Sequence, residues 1–306
     1  MEPPIDAIKL NFNPDSLILL NFLLAFLMFG IALNLRVTDF KRLMLYPRKA
    51  FAGIISQWIV LPLITYFFLL LFQPPASMAL GIILLAACPG GNMSNFLSSL
   101  AKGNVALSVT LTALSTVLCI VMTPLNFALY GNLYGPTRLL LQEISIEPWA
   151  MFSTVFLILG LPLVMGMLFA YYMPGITKKI LKPVRIVSLL IFIAFIVLAF
   201  AANYAIFLQV IGIIFLLVFL HNFICMAAGY GMGVLFKMDF ADKKCLAIET
   251  GIHNAALGLI LIFTFFDGLG GMAIVAGWWG IWDLISGLAI AYYWNLMDKR
   301  KANVAF

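Results

Sequence analysis

Charge is what this chain has least of. Only 10% of its 306 residues are Asp, Glu, Lys or Arg, against 64% that are hydrophobic, and the mean hydropathy is +1.10. A water-facing surface ordinarily carries about 25% charged residues, so the scarcity excludes a soluble globular enzyme. The same numbers exclude intrinsic disorder. Acidic residues are fewer than basic ones, 12 against 18. Yet the bases fall in short bursts between apolar runs and form no coherent patch, which argues against a nucleic-acid surface. Cysteine is equally sparse. Cys88, Cys119, Cys225 and Cys245 lie in or beside apolar tracts without a CxxC pair, so neither a zinc site nor a disulfide framework is indicated, and all four read as small core residues. The apolar runs lack period-two alternation, which disfavours a transmembrane β-barrel. A nucleophile, a paired acid and base, and a cofactor motif are all missing, so the chain reads as no enzyme. A positively charged leader is missing too: Glu2, Asp6 and Asp15 face a single Lys9 before the first apolar run, which is therefore expected to stay in the protein.

What is present is a succession of apolar runs of helical length, at about 17–36, 48–71, 76–101, 103–130, 149–172, 184–203, 207–235, 244–266 and 269–296. A helix needs about 20 residues to cross the hydrocarbon, so nine spans are expected. An odd count puts the termini on opposite sides. With the N-terminus outside and the C-terminus cytoplasmic, sixteen of the eighteen basic residues collect on the cytoplasmic side, leaving only Lys9 and Arg138 outside. No soluble domain interrupts the chain. The expected architecture is an all-α polytopic membrane bundle over residues 1–306, with a membrane-lipid surround.

Two polar interruptions stand out within the apolar runs. The first is Ala87-Cys88-Pro89-Gly90-Gly91-Asn92-Met93-Ser94-Asn95. Proline and two glycines predict a break near 89–92, and backbone left unpaired in lipid is tolerated only where protein or a wet cavity supplies partners. The second is Glu249-Thr250-Gly251-Ile252-His253-Asn254, with a break near 250–254. Glu249 is an isolated acid. It is either an interfacial residue just past Lys244 or a buried carboxylate that must be paired, protonated or bound to a cation. Discontinuous helices expose amide groups at one end and carbonyls at the other, and transporters use both to hold anions and cations.

Asn104, Ser108 and Thr112 follow at spacings of four on one helical face, with Ser115 and Thr116 nearby. These hydroxyls are candidates to supply oxygens to an ion, to bond their own helix carbonyls, or to pack between helices. Gln57 and Asn222 are open between packing and ion-site roles. His221 reads as a neutral packing residue. Asp283 is the other acid deep within a run. The interrupted spans are the third and eighth, so spans one to four and six to nine form oppositely oriented sets. That is the geometry of an inverted repeat with two discontinuous crossing helices.

Cys88-Pro89-Gly90-Gly91, Ser94-Asn95, Lys102-Gly103-Asn104-Val105-Ala106-Leu107-Ser108, Leu220-His221-Asn222 and Glu249-Thr250-Gly251, in this order, resemble the bile acid:sodium symporter family, in particular its bacterial members. The likeness runs from Met28-Phe29-Gly30 to the last span. It implies a core domain of spans 2–4 and 7–9 and a panel domain of spans 1, 5 and 6. It also implies Na+ as the coupling ion, one or two per cycle, with no cofactor and no other metal. By the same resemblance, a first sodium site comprises Ser94, Asn95, Ser108, Thr112 and Glu249. A second comprises Gln57, Glu249, Thr250, Ile252 and His253, with backbone carbonyls contributing. Asn95, Asn254 and Asp283 are the expected substrate-cavity residues. The family typically has glutamine at the position of His253, and close bacterial relatives carry histidine near Asp283.

The expected function is sodium-coupled secondary active uptake of an organic anion, bile-acid-like or a smaller carboxylate, by alternating access in a bacterial inner (cytoplasmic) membrane. No nucleic-acid partner is expected, and a monomer suffices for this arrangement. The alternatives left open are a proton-coupled or ion-independent carrier, and a non-transporting membrane receptor or scaffold for such anions.

Overall fold

The structure is a computed structural model. It describes residues 47–144, 149, 152–153, 156–202 and 204–304, with short pieces at 6, 25–26, 29–30 and 32–33. The expected first span at 17–36 falls largely outside the described residues.

The described chain is helical throughout its length. The helices are α1 (Pro47–Ile55), α2 (Leu61–Phe72), α3 (Ala76–Ala86), α4 (Asn92–Leu100), α5 (Val105–Leu133) and α6 (Gly135–Ile144), followed by α7 (Leu161–Tyr172), α8 (Pro174–Ala202), α9 (Tyr204–Leu235), α10 (Phe240–Gly251), α11 (Ala255–Phe265) and α12 (Gly270–Val304). Among the described residues, five helical stretches are long and apolar enough to cross a membrane: Pro47–Phe72, Val105–Leu133, Phe207–Leu235, Phe240–Phe265 and Gly270–Asp298. The outward faces are apolar, as at Phe67, Leu71, Val121, Leu125, Leu129, Leu216 and Phe223. Large exposed hydrophobics at this density are the surface of a multi-pass membrane protein, where lipid replaces water as the neighbour.

Local chemistry explains the interruptions. A π-helical turn at Ser56–Val60 joins α1 to α2 just before Pro62. Proline has no N–H to give the carbonyl four residues back, and that carbonyl, Trp58 O, is taken instead by Asn126 Nδ2 at 3.1 Å. The wider turn buries Ser56, Gln57 and Trp58 together. Helix α3 ends earlier than the expected break, at Ala86, because Pro89 disfavours helical geometry in the residue before it. Helix α4 restarts at Asn92. The second interruption runs from Gly251, the end of α10, through the extended Ile252 (φ −98°, ψ 121°) to Asn254, whose Oδ1 caps α11 by accepting the Leu257 N–H at 3.0 Å. Helix α8 begins at Pro174, ten residues ahead of the apolar run that marks it in the sequence. Proline is favoured at a helix start, and the basic first turns are helical without being apolar.

The broken helices pack against each other. Helix α3 packs on α11 and α4 on α10, while α12 runs alongside both α3 and α4. This is the inverted-repeat-like arrangement that oppositely oriented halves produce. On one side of the interruptions, Leu80, Leu84 and Leu85 of α3 pack with Ile260, Ile262 and Phe263 of α11 and with Met272, Val275 and Trp279 of α12. On the other, Leu97, Ala247, Ile248, Ala291 and Trp294 form a smaller core. The polar residues of the two interruptions lie between.

Candidate functional site

Glu249 stands in the last turn of α10 with 2% of its surface exposed. It is therefore an acid buried within the protein. Its carboxylate gathers hydroxyls from two other helices. Ser94 Oγ, from the first turn of α4, donates to Oε1 at 2.7 Å. Ser108 Oγ of α5 reaches the same oxygen, and Thr112 Oγ1 lies 3.1 and 3.2 Å from the two carboxylate oxygens. Asn95 Oδ1 joins the group, accepting from Ser108 Oγ at 2.8 Å and Thr112 Oγ1 at 3.2 Å. The structure thus brings Ser94, Asn95, Ser108, Thr112 and Glu249 together.

Oxygens outnumber protons here. Ser108 and Thr112 have one hydroxyl proton each but face both Glu249 and Asn95. Ser94 likewise lies 2.7 Å from Gly91 O as well as from Glu249. Among the described residues, no Lys, Arg or His forms an ion pair with Glu249. An ionised carboxylate in such surroundings is costly without a counter-charge, and the donor set of carboxylate, amide carbonyl and hydroxyl oxygens suits a hard cation.

A second group of oxygens faces Gly90. A Cβ placed on that residue would lie 3.2 Å from Glu249 O, 3.2 Å from Glu249 Oε2 and 3.3 Å from Ile252 O. Glycine puts no methyl group beside these three oxygens, so none holds a small cation away from them. Gln57 borders it: Nε2 donates to Glu249 O at 3.0 Å and lies 3.4 Å from Oε2, while Oε1 accepts from Ser115. Thr250 turns its hydroxyl to Ser56 at 2.7 Å. The His253 ring packs edge-on against Trp279, with centroids 5.2 Å apart.

Asn95 and Asn254 are half-buried beside a half-buried Gly91, within otherwise buried surroundings. Both half-helix starts therefore reach a less enclosed region. Asp283 of α12 is buried, with Oδ2 accepting the His253 N–H at 2.8 Å and Oδ1 lying 3.3 Å from Asn222 Nδ2. Asn222 also donates to Gly251 O at 2.8 Å. Asn104 does not join the hydroxyl stripe it begins in sequence. It caps α5 through Leu107 N–H and donates to Asp242 Oδ1 at 2.7 Å. His221 pairs with Thr65 Oγ1 at 2.8 Å and stays apart from Glu249's ligands.

Two contributors went unnoticed in the sequence. Ser56 sits one position before Gln57, on a different face of a regular helix, and only the π-helical turn turns both inward. Thr123 Oγ1 donates to Ala87 O at 2.6 Å, satisfying a carbonyl at the first interruption. Its position eleven residues after Thr112 on α5 was the available signal.

Residues 21–210 match the model of the Sodium Bile acid symporter family. The chain belongs to this family. Members are sodium-coupled transporters and not enzymes. The matched stretch includes Gln57, the first interruption and the hydroxyl face of α5, and stops before Glu249. An "Uncharacterized sodium-dependent transporter YocS" of Bacillus subtilis is 32% identical over 278 residues, 91% of this chain and 83% of that one. An alignment of that extent takes in both interruptions. A "Probable sodium/metabolite cotransporter BASS1, chloroplastic" of Arabidopsis thaliana is 29% identical over 78% of this chain, and the human "P3 protein" is 27% identical over 76%. The chain spans 57% and 48% of the lengths of those two relatives.

Proposed function

We propose that this symporter-family chain takes up an organic anion, bile-acid-like or a smaller carboxylate, by sodium-driven alternating access. The observation that carries the reading is Glu249: a buried carboxylate, without an ion-pair partner among the described residues, surrounded by oxygens contributed by both interrupted helices. The first sodium is held by Ser94, Asn95, Ser108, Thr112 and Glu249. The second is held by Gln57, Glu249, Thr250, Ile252 and His253, where the contributions of Glu249 O and Ile252 O are carbonyl oxygens of the kind that interrupted helices offer to Na+. The packing of the His253 ring against Trp279 favours a site in which this residue supplies little through its ring.

The two interruptions meet, so a cation between them neutralises Glu249 and ties the halves together in one step. The anion then binds against the half-helix starts at Asn95 and Asn254, where free amide groups and the positive helix ends favour negative charge, with Asp283 behind them. Nine spans carry the chain across a bacterial inner membrane, with the N-terminus outside and the C-terminus cytoplasmic. Spans 2–4 and 7–9 form a core that moves against a panel of spans 1, 5 and 6. An inward sodium gradient drives uptake, and each net charge moved adds about 2.3 kcal/mol per 100 mV.

The test is reconstitution into proteoliposomes with an imposed sodium gradient and a panel of radiolabelled carboxylates, bile acids and keto acids included. Uptake that requires inward sodium and is lost in Glu249→Ala supports the reading. Uptake that persists with choline in place of sodium, or that follows a proton gradient alone, overturns it.

A further inference from the structure

The interruption between α10 and α11 frees backbone groups that a continuous helix would have paired, and in an apolar surround each needs a partner. Their destinations are specific. Ile252 N–H still reaches back to Ile248 O at 2.9 Å. Glu249 O receives Gln57, and Gly251 O receives Asn222. His253 N–H goes to Asp283 Oδ2 at 2.8 Å, across 30 residues of sequence. The carbonyl on the other side of that same peptide, Ile252 O, is one of the three oxygens converging over Gly90.

We propose that Asp283 is a positioning residue for the coupling ion: by holding the Ile252–His253 peptide through its N–H, it aims and polarises the Ile252 carbonyl toward the oxygens of Glu249. The proposal rests on the reading of that oxygen group as a sodium site and assigns Asp283 a task beyond lining the substrate cavity. The physics is short. The peptide bond is planar, and no cis bond occurs among the described residues, so N–H and C=O point in opposite directions. An acceptor that fixes one end fixes the other. Hydrogen bonds in a chain polarise each other, so the acceptance of this N–H by Asp283 raises the electron density on Ile252 O. Asp283 is itself held from α9, since Asn222 Nδ2 lies between Asp283 Oδ1 and Gly251 O. Helices α9 and α12 together thus hold the interruption on one side while Gln57 and the Glu249 carboxylate occupy the other.

An isosteric Asp283→Asn variant separates this from a cavity-lining role. Its amide has one acceptor oxygen where the carboxylate has two, so serving His253 N–H leaves a donor facing the donor of Asn222. The purified full chain is titrated with NaCl against matched choline chloride, following thermal stability, since an ion bound only by the folded state raises apparent stability by mass action. The wild type is expected to show a saturable sodium-specific rise. Asp283→Asn is expected to need about tenfold more sodium for the same rise, the usual size of an outer-sphere effect on a metal site. Should Asp283→Asn fail to fold, Asn222→Ala decides the matter: it frees Asp283 Oδ1 and so loosens the hold on the peptide, and a raised sodium midpoint supports the proposal while an unchanged one overturns it. A folded Asp283→Asn protein whose stability drops equally in sodium and choline, with an unchanged sodium midpoint, overturns the proposal and leaves the sodium reading intact. A wild-type chain with no sodium-specific rise overturns both.

Discussion

Ser94 Oγ and Glu249 Oε1 lie 2.7 Å apart although 155 residues separate them in the chain. Ser94 follows the first interruption and Glu249 precedes the second, so this hydrogen bond joins the two halves of the molecule where both lose helical regularity. A site built this way cannot form on either half alone. Occupying it with a cation therefore acts on the packing of one half against the other, which is the coordinate an alternating-access transporter must control.

Replacing Glu249 is expected to abolish the sodium response. Glu249→Gln keeps the volume and removes the charge that the oxygen group surrounds. The purified variant should remain folded, show the same thermal stability in sodium and choline, and give no sodium-dependent uptake in proteoliposomes. Retained sodium-specific stabilisation in this variant would remove Glu249 from the ion site.

Gly90→Ala tests the second oxygen group without touching any ligand. The added methyl would sit 3.2–3.3 Å from Glu249 O, Glu249 Oε2 and Ile252 O, between the Gly90 backbone and the space where a cation would meet them. Half-saturating sodium should rise at least about tenfold, a loss of roughly 1.4 kcal/mol in binding. An unchanged sodium titration would show that the convergence over Gly90 is packing and nothing more.

His253→Gln asks what the ring contributes. Its place against Trp279 leads us to expect the same number of bound ions in variant and wild type, counted by equilibrium binding of radioactive sodium. One additional ion in the variant would mean that the histidine suppresses a site which glutamine completes.

The pair Lys49–Asp242 governs stability and not ion binding. Lys49 Nζ lies 2.5 Å from Asp242 Oδ2, and Asp242 is buried and also accepts from Asn104. Removing one partner of a buried pair strands the other, at a typical cost of about 3–5 kcal/mol, lessened here because the Lys49 side chain is 27% exposed. Lys49→Met should lower the melting temperature by several degrees, and should do so equally in sodium and choline. A change in sodium midpoint would instead link this cluster at the start of α10 to the ion site.

Much of this was readable from residue types. Hydropathy and the distribution of Lys and Arg are summed properties, and they gave the membrane class and helical character directly. Pro89, Gly90 and Gly91 announced a helix break because proline lacks a donor and constrains its predecessor. Glu249 drew notice because a lone acid in an apolar run has few physical explanations. Other features were illegible. Helical spacing grouped Asn104 with Ser108 and Thr112, yet Asn104 stands before the first turn of α5, where a side-chain cap is worth more than a place on the stripe. Ser56 faces inward only because the turn before Pro62 is wider than an α-helical one.

The sequence by itself determined the solvent this protein lives in, the helices, the positions where they fail and the scarcity of polar side chains to meet at those failures. All of these are local, set by transfer free energy and backbone sterics within a few residues. Tertiary structure alone decided which atoms meet: that α4 brings Ser94 to Glu249, that Gly90 lies open beneath three oxygens, and that Asp283 turns to the His253 N–H. Such pairings join segments 30 to 162 residues apart, and no periodicity within a segment carries information about the direction from which a distant partner arrives.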